Sequence, residues 1–364
     1  MIGHSGIGTY ICGLLETWHD IAPDFRPTLL GDPAVLGARL AEANRHPIVP
    51  FRAPIYGLRE QLSFPVRRTR GALLHCPHYN IALRHSGPLV VTIHDLIHLD
   101  ERWGPRSPVR RFYARWMLRA AVRRARYVFA DSQATANDLI ARLDVAPNKI
   151  VVVHSAASNF FLKGRPSQEA IEQFRRDAGL PADYLLAVGL YKPHKNLDLL
   201  FQALQSLRES TRIGASLVVA GTQKKERAAL KNRLAQLGVL EHVRVLDWLP
   251  SDHLPLLYGG ATALIHPSRI EGFGLPIIEA QAVGTPVVAS HVPAVLEVAG
   301  EGALFFDPLD AGDLARRIVT VIADNEIREQ LVAAGLRNVE RFSWRESARK
   351  VLSIYQEVAR ASCP

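Results

Sequence analysis

Ala263-Leu264-Ile265, then Glu271-Gly272-Phe273-Gly274-Leu275-Pro276-Ile277-Ile278-Glu279, then Pro286-Val287-Val288-Ala289 run as apolar stretch, Gly-rich turn, short periodic stretch and second apolar stretch. Short apolar runs bounded by turn residues read as buried strands. Pro276 at a first-turn position and Gly284 beyond the far end bracket a helix over Ile277–Ala282. Gly272 and Gly274 have no Cβ, so the chain can turn sharply there and approach a ligand. N–H groups at a helix start can meet phosphate oxygens. A carboxylate repels phosphate, so Glu271 and Glu279 are assigned to the hydroxyls of a sugar or ribose, from which a carboxylate accepts charge-assisted hydrogen bonds. The plainer alternative is that Glu279 only complements the helix dipole and the glycines only turn the chain.

The same alternation extends in both directions and argues for parallel α/β layers. Strands are expected at 73–75, 89–93, 127–130 and 150–153 in the first half. In the second half they are expected at 184–188, 215–220, 243–246, 263–265 and 287–289. Two successive βα series imply two doubly wound domains joined through 162–183, a polar stretch carrying Gly164, Pro166 and Pro181. Residues 1–165, 166–343 and a final amphipathic helix 344–364 are the expected divisions.

Gly189-Leu190-Tyr191-Lys192-Pro193-His194-Lys195-Asn196 follows a buried strand, and a loop at the carboxyl end of a parallel strand faces the binding crevice of an open sheet. Lys195, with Lys192 or His194 beside it, could neutralise a diphosphate. The alternative is a solvated basic turn in which Asn196 caps the next helix. Ser5-Gly6-Ile7-Gly8 stands at the start of a helix whose apolar face is Ile7, Ile11, Leu14, Leu15 and Trp18, and it could offer N–H groups to an anion. Thr92-Ile93-His94-Asp95 ends a strand in a His-Asp pair. His75, Cys76 and His78 look metal-like, but no fourth ligand and no Asp-x-Asp motif accompany them, so no metal is expected.

On these residues the chain resembles the retaining glycosyltransferases of family 4. The Glu-x7-Glu block extended to Gly284-Thr285-Pro286-Val287-Val288, Pro193-His194-Lys195-Asn196 and Thr92-Ile93-His94-Asp95 carry the resemblance. It implies the α/β GT-B fold, two Rossmann-like domains facing a cleft, with the last helix crossing back to the first. It implies a metal-independent enzyme without cofactor that uses a nucleoside-diphosphate sugar as co-substrate. His94, Lys195 and Glu271 become the expected catalytic residues. The donor is expected to meet Gly6, Ile7, Gly8, His194, Lys195, Asp247, Trp248, Ser268, Glu271, Gly272, Phe273, Gly274, Leu275 and Glu279. The general look is similar to bacterial mannosyltransferases of surface-polysaccharide assembly, which makes GDP-mannose the first donor expected and a glycan or lipid-linked saccharide the acceptor. A sugar-nucleotide epimerase of the same fold and a non-catalytic nucleotide-sugar-binding subunit are the alternatives. The family has a strand before the Gly6–Gly8 motif, so the first domain is expected to lack its opening strand. Many family members carry Arg-Lys where this chain has His194-Lys195, which replaces a permanent cation with one that titrates near neutrality.

Composition fits these expectations. The 364 residues are 48% hydrophobic, enough for two cores, and no run approaches the roughly 18 apolar residues of a membrane span. Three distant cysteines, Cys12, Cys76 and Cys363, indicate neither a disulfide framework nor a zinc site. The expectation is a cytoplasmic protein, either free or peripheral on the inner face of the cell membrane. The net charge of +9 divides into roughly +10 for residues 1–165 and roughly −1 afterwards. Much of the excess lies in Arg106 to Arg126, where Val109, Phe112, Tyr113, Trp116, Met117 and Ala120 interleave at helical spacing. This is expected to be a helix with one apolar and one Arg-rich face, packed on its domain or docked on an anionic membrane surface. No nucleic-acid motif or stacking platform accompanies it.

Overall fold

The structure is a computed structural model and describes residues 6–40, 43–105, 107–210, 216–247 and 249–362. The chain forms two compact units, Met1–Ala156 with Ser343–Pro364, and Ala157–Phe342.

In the first unit, strands β1 (Leu29–Gly31) and β2 (Ile48–Pro50) pair in parallel as a separate two-stranded sheet. A second parallel sheet runs β3 (Leu74–Cys76), β4 (Leu89–Ile93), β5 (Tyr127–Ala130) and β6 (Ile150–Val152) in that order. All five residues of β4 are buried, as expected of an inner strand of a parallel sheet covered on both faces. The first helix, Gly6–Ile21, packs on the last, Trp344–Ser362. Trp18 Nε1 donates to Ala348 O at 3.0 Å, and the Tyr10 and Trp344 rings meet edge-on at 6.1 Å. Gly13 permits that approach, since a Cβ on it would lie 2.3 Å from the Trp344 ring.

Three sequence expectations change here. Gly6, Ile7 and Gly8 form the opening turn of the first helix rather than a loop before it, and Gly8 is buried. The Arg-rich helix, Pro108–Arg124, buries Ala114, Met117, Leu118, Ala121 and Val122. Val109, Phe112 and Trp116 instead stand exposed at 77%, 73% and 47%, on the same outer surface as Arg115, Arg119 and Arg123. Small residues pack closest to β4, so bulky aromatics one step around the helix are left outside. The expected strands are present with ends shifted by a residue at most, while β1, β2 and a strand over Leu304–Phe306 are further three-residue strands too short to show a period.

The second unit holds β7 (Tyr184–Val188), β8 (Ser216–Ala220), β9 (Val243–Val245), β10 (Ala263–His266), β11 (Val287–Ser290) and β12 (Leu304–Phe306). Every pairing is parallel, and the spatial order is β12-β11-β10-β7-β8-β9. The chain lays down β7, β8 and β9 to one side, then returns to place β10 on the other side of β7. The two loops leaving β7 and β10 therefore diverge at their carboxyl ends, and an open α/β sheet binds its ligand at such a reversal. Leu200, Phe201, Leu204, Leu217, Ile265 and Ile318 form the center of the core beneath it, each 1% exposed or less.

Candidate functional site

The loop after β7 begins at Gly189, whose φ of 146° turns the chain while its N–H donates to Ala220 O at 2.8 Å. A short 3-10 turn, Pro193–Lys195, ends at Asn196 in the left-handed conformation, φ 56°. Asn196 then fastens this loop to its neighbours. Its Nδ2 donates to Pro267 O and Pro308 O, both at 3.0 Å, and its Oδ1 accepts from Arg269 Nε at 2.8 Å. The backbone N–H of Arg269 donates to His194 O at 2.8 Å.

These bonds bring Lys195 and Glu271 together across 76 positions of sequence. Lys195 Nζ donates to Glu271 Oε1 at 2.6 Å, and both side chains are largely buried. Ser268 Oγ donates to the same oxygen at 2.7 Å, and His266 Nε2 lies 3.1 Å from it. Burial alone would raise the Glu271 carboxyl pKa; Lys195 and His266 outweigh it and hold the group well below the usual carboxylate range. Ser268 is fixed in turn, its carbonyl accepting from Ser290 Oγ at 2.5 Å. Glu271 is therefore an anion with one oxygen engaged and Oε2 still able to accept.

Three residues on, Gly274 sits at φ 106° as the N-cap of the helix Leu275–Ala282 and supplies no side chain to cap it. Pro276 contributes no N–H, and that of Ile277 returns to Gly274 O at 2.9 Å. The Gly274–Leu275 backbone is what the turn leaves for an anion. Gly272 and Phe273 are buried in the same turn, and Phe273 packs edge-on against Phe342 at 5.5 Å. Glu279, one turn into the helix, accepts from Tyr258 Oη at 2.6 Å. Loss of water pushes its pKa up to about 7, against the opposing effect of the phenol. The surroundings thus shift the two acids of the motif in opposite directions, Glu271 down and Glu279 up.

Other expected donor residues fall elsewhere. Lys192 Nζ lies 3.3 Å from Glu226, whose carboxylate also accepts the Tyr191 and Gln223 N–H groups, so Lys192 is not gathered with Lys195 around Glu271. Asp247 is 61% exposed and paired with Arg227, and Trp248 lies outside the described residues.

In the first unit, His94 closes β4. Its Nδ1 lies 2.6 Å from Asp131 Oδ2 and its Nε2 lies 3.0 Å from Pro77 O, while Asp95 Oδ1 accepts the Ile97 N–H. Both partners are acceptors, so the arrangement is best met by an imidazolium donating from each nitrogen. Burial disfavours that charge, but Asp131 outweighs it and the pKa is raised. Asp131 is 5% exposed, and its Oδ1 is buried without a hydrogen-bond partner. His75 belongs to a different chain of bonds, Tyr355–His75–Thr92–Tyr10, at 2.5, 2.7 and 3.2 Å. His78 meets Tyr56 Oη at 3.3 Å.

His266 and Asp131 are not singled out by the sequence, and Asn196 enters there only as a helix cap and motif residue. Asn196 has a local signal, a polar residue of αL tendency closing a basic turn before a helix. His266 and Asp131 close strands, β10 at its last residue and β5 by following it, a position that faces the crevice of a parallel sheet.

The chain as a whole is similar to known proteins. Residues 6–157 match the family described as "Glycosyltransferase Family 4", and residues 170–337 match "Glycosyl transferases group 1". The O-antigen chain mannosyltransferase B of Escherichia coli is 29% identical over 88% of this chain and 83% of its own. The D-inositol 3-phosphate glycosyltransferase of Corynebacterium efficiens is 30% identical over 78% of this chain and 68% of its own. Among solved structures, that of Anabaena Alr3699/HepE in complex with UDP and glucose superposes with a TM-score of 0.78 at 20% identity, covering 97% of this chain and 96% of that one. The fold is GT-B, two Rossmann-like halves with parallel sheets. With the Glu-x7-Glu turn set at the sheet reversal of the second half, the chain belongs to the glycosyl transferases group 1 family.

Proposed function

We propose that this glycosyltransferase moves a hexose, mannose from GDP-mannose in the first instance, to a glycan or lipid-linked saccharide, with retention at the anomeric carbon and no metal. The observation that carries the reading is the Lys195–Glu271 pair at the reversal of the second sheet. Transfer to an acceptor leaves a nucleoside diphosphate behind, and its developing charge needs a fixed cation. Lys195 is a cation already desolvated and aimed by Glu271, so little reorganisation is needed as the bond to the sugar breaks. The Gly274–Leu275 backbone lies near enough in sequence to serve the same diphosphate. Glu271 Oε2 and Glu279 would accept from sugar or ribose hydroxyls, and a Glu279 half neutral near pH 7 weakens its repulsion of phosphate.

His94 is proposed to act as a fixed imidazolium that orders the end of β4, since both its nitrogens are engaged. In this account the acceptor hydroxyl attacks on the face from which the diphosphate leaves, and the diphosphate takes its proton. The protein then works by positioning and charge stabilisation. Mannosyl transfer rests on the E. coli relative. A peripheral location on an anionic membrane rests on the exposed Phe112, Trp116 and arginines of the helix Pro108–Arg124. No helix among the described residues is long and apolar enough to cross a membrane.

Screening nucleotide sugars for thermal stabilisation tests the donor. The true donor at 100 times its Kd should add about 2.7 kcal/mol. GDP-mannose giving no shift while a uridine diphosphate sugar does would replace the mannose assignment; no nucleotide sugar shifting the protein would remove the donor site altogether.

A further inference from the structure

Tyr56, His78, Tyr79, His98 and Tyr113 gather their rings beside the carboxyl ends of β3 and β4, on segments that start where His94 stands. Pro77, whose carbonyl lies 3.0 Å from His94 Nε2, is followed by His78 and Tyr79; Asp95 and His98 follow His94 itself. Tyr56 is the hub. The His78, Tyr79, His98 and Tyr113 centroids lie 5.7, 6.1, 6.4 and 6.4 Å from its own. The carboxyl ends of parallel strands are where an open α/β sheet meets its ligands.

Tyr56 is held in a conformation that a tyrosine does not adopt unforced. Its φ is 67°, an outlier for a bulky residue, and such outliers persist only where the surroundings over-determine them. Here Glu60 Oε2 accepts the Tyr56 N–H at 2.9 Å and Asn80 Nδ2 at 2.5 Å, and Tyr113 Oη donates to Asn80 Oδ1 at 2.5 Å. Glu60 and Asn80 are 7% and 4% exposed, so a buried acid and a buried amide are committed to this turn. The ring they hold is nonetheless 42% exposed. Folding alone gains little from burying polar groups in order to show an aromatic face to water. A ligand that covers the face supplies the gain.

The groups on display fit an uncharged sugar ring. A pyranose has a face of C–H groups that packs on the electron-rich face of an aromatic ring, and a rim of hydroxyls that needs donors and acceptors. His78 Nδ1 accepts the Asn80 N–H at 3.2 Å, so the neutral imidazole carries its proton on Nε2, 3.3 Å from Tyr56 Oη. The Tyr56 hydroxyl then accepts from His78 and keeps its own proton to donate. Asp95 uses one oxygen on the Ile97 N–H and has the other to accept. A phosphorylated ring fits poorly. Burial, with His94 beside it, pushes His78 down to about 3, and burial also lowers His98, so neither is a cation near neutrality. His94 has both nitrogens engaged, and the charges acting on Tyr56 are the Asp95 and Glu60 carboxylates, which repel phosphate.

We infer that Tyr56, supported by His78, Tyr79 and His98, is the platform on which the receiving sugar of the acceptor stacks, and that this sugar is an uncharged pyranose; this rests on the reading that the chain transfers a sugar to a saccharide.

Saturation-transfer NMR on the full chain tests it, with methyl α-mannoside as the neutral probe and mannose 6-phosphate as the same ring charged. Saturation of the aromatic protons should reach the protons on one face of methyl α-mannoside, in the parent and in Tyr56→Phe. The half-saturating concentration should rise about threefold to tenfold in Tyr56→Ala, shown folded by circular dichroism. Mannose 6-phosphate should bind the parent more weakly than methyl α-mannoside at low salt, a comparison that decides even where a variant unfolds. Equal or tighter binding of mannose 6-phosphate, transfer to neither probe, or unchanged binding by folded Tyr56→Ala overturns the assignment. Loss of binding to anionic vesicles by Tyr56→Ala with probe binding kept would put the rings on a membrane surface and overturns it too. The donor screen is read on the same protein: probe binding without any donor shift keeps the sugar platform and removes the transferase reading, and a donor shift without probe binding does the reverse.

Discussion

Lys195 and Glu271 are 76 positions apart, and neither position alone tells whether its charge is solvated or buried. Their chemical types and the turns around them were legible, because a Gly-rich turn before a proline-started helix has few other uses. Their contact was not, since it depends on Asn196 and Arg269 bonding two loops across a sheet reversal. The electrostatic difference between the two motif acids was equally hidden, because Tyr258 and the burial around Glu279 come from distant sequence. That difference predicts a pH dependence. Glu279 has its folded pKa raised from 4.5 to about 7, so the folded state binds the extra proton and stability is lost as pH rises between those values. The span is on the order of 3 kcal/mol. Tyr258→Phe removes the donor that lowers this pKa, so the carboxyl midpoint, followed by ¹³C NMR of labelled glutamate, should move upward. A midpoint near 4.5 in the parent would contradict the burial argument. At His94 the folded pKa is raised, so the stabilisation is full below about 6.5 and is lost as pH rises through the folded value. Asp131→Asn should bring the His94 imidazole titration down toward or below 6.5 in a proton NMR titration, and an unchanged titration would mean that Asp131 does not hold the charge.

Single elements show where pattern reading reached its limit. Strands such as β7 and β8 announce themselves by five and four consecutive apolar residues, whereas β1, β2 and β12 are three residues long, and Pro50 closes β2. The helix Pro108–Arg124 has helical periodicity, but its apolar residues exceed one face, and only packing decides which of them are covered. Ala114, Ala121 and Met117 allow close approach to the sheet, leaving Phe112 and Trp116 outside among arginines. Such a surface should bind anionic vesicles. Replacing Arg115, Arg119 and Arg123 by Glu should abolish co-sedimentation with vesicles containing anionic lipid, at about 1 kcal/mol for each arginine near the surface. Unaltered binding by the triple variant would assign the attachment elsewhere. The contact of the first and last helices rests on the absence of a side chain at residue 13. Gly13→Ala places a methyl 2.3 Å from the Trp344 ring and should cost about 1 to 3 kcal/mol in urea unfolding; a cost near zero would mean the two helices separate freely.

For the molecule as a whole, the sequence alternation of strands and helices was enough to expect two doubly wound halves, and the structural likeness to GT-B proteins agrees. The split of charge, with nearly all the positive excess before residue 165, places the membrane-facing candidate and the nucleotide-binding candidate on different units. The central claim is that the Lys195–Glu271 pair drives departure of a nucleoside diphosphate. Breaking a buried ion pair also lowers stability, by about 3–5 kcal/mol, so each variant must first be shown folded by circular dichroism at the assay temperature. The decisive measurement is nucleoside diphosphate release from the stabilising nucleotide sugar by the parent, Lys195→Ala and Glu271→Gln. The account predicts turnover reduced about 10²-fold to 10³-fold in folded Lys195→Ala, with Glu271→Gln also impaired. Parent-like release by both folded variants would contradict it.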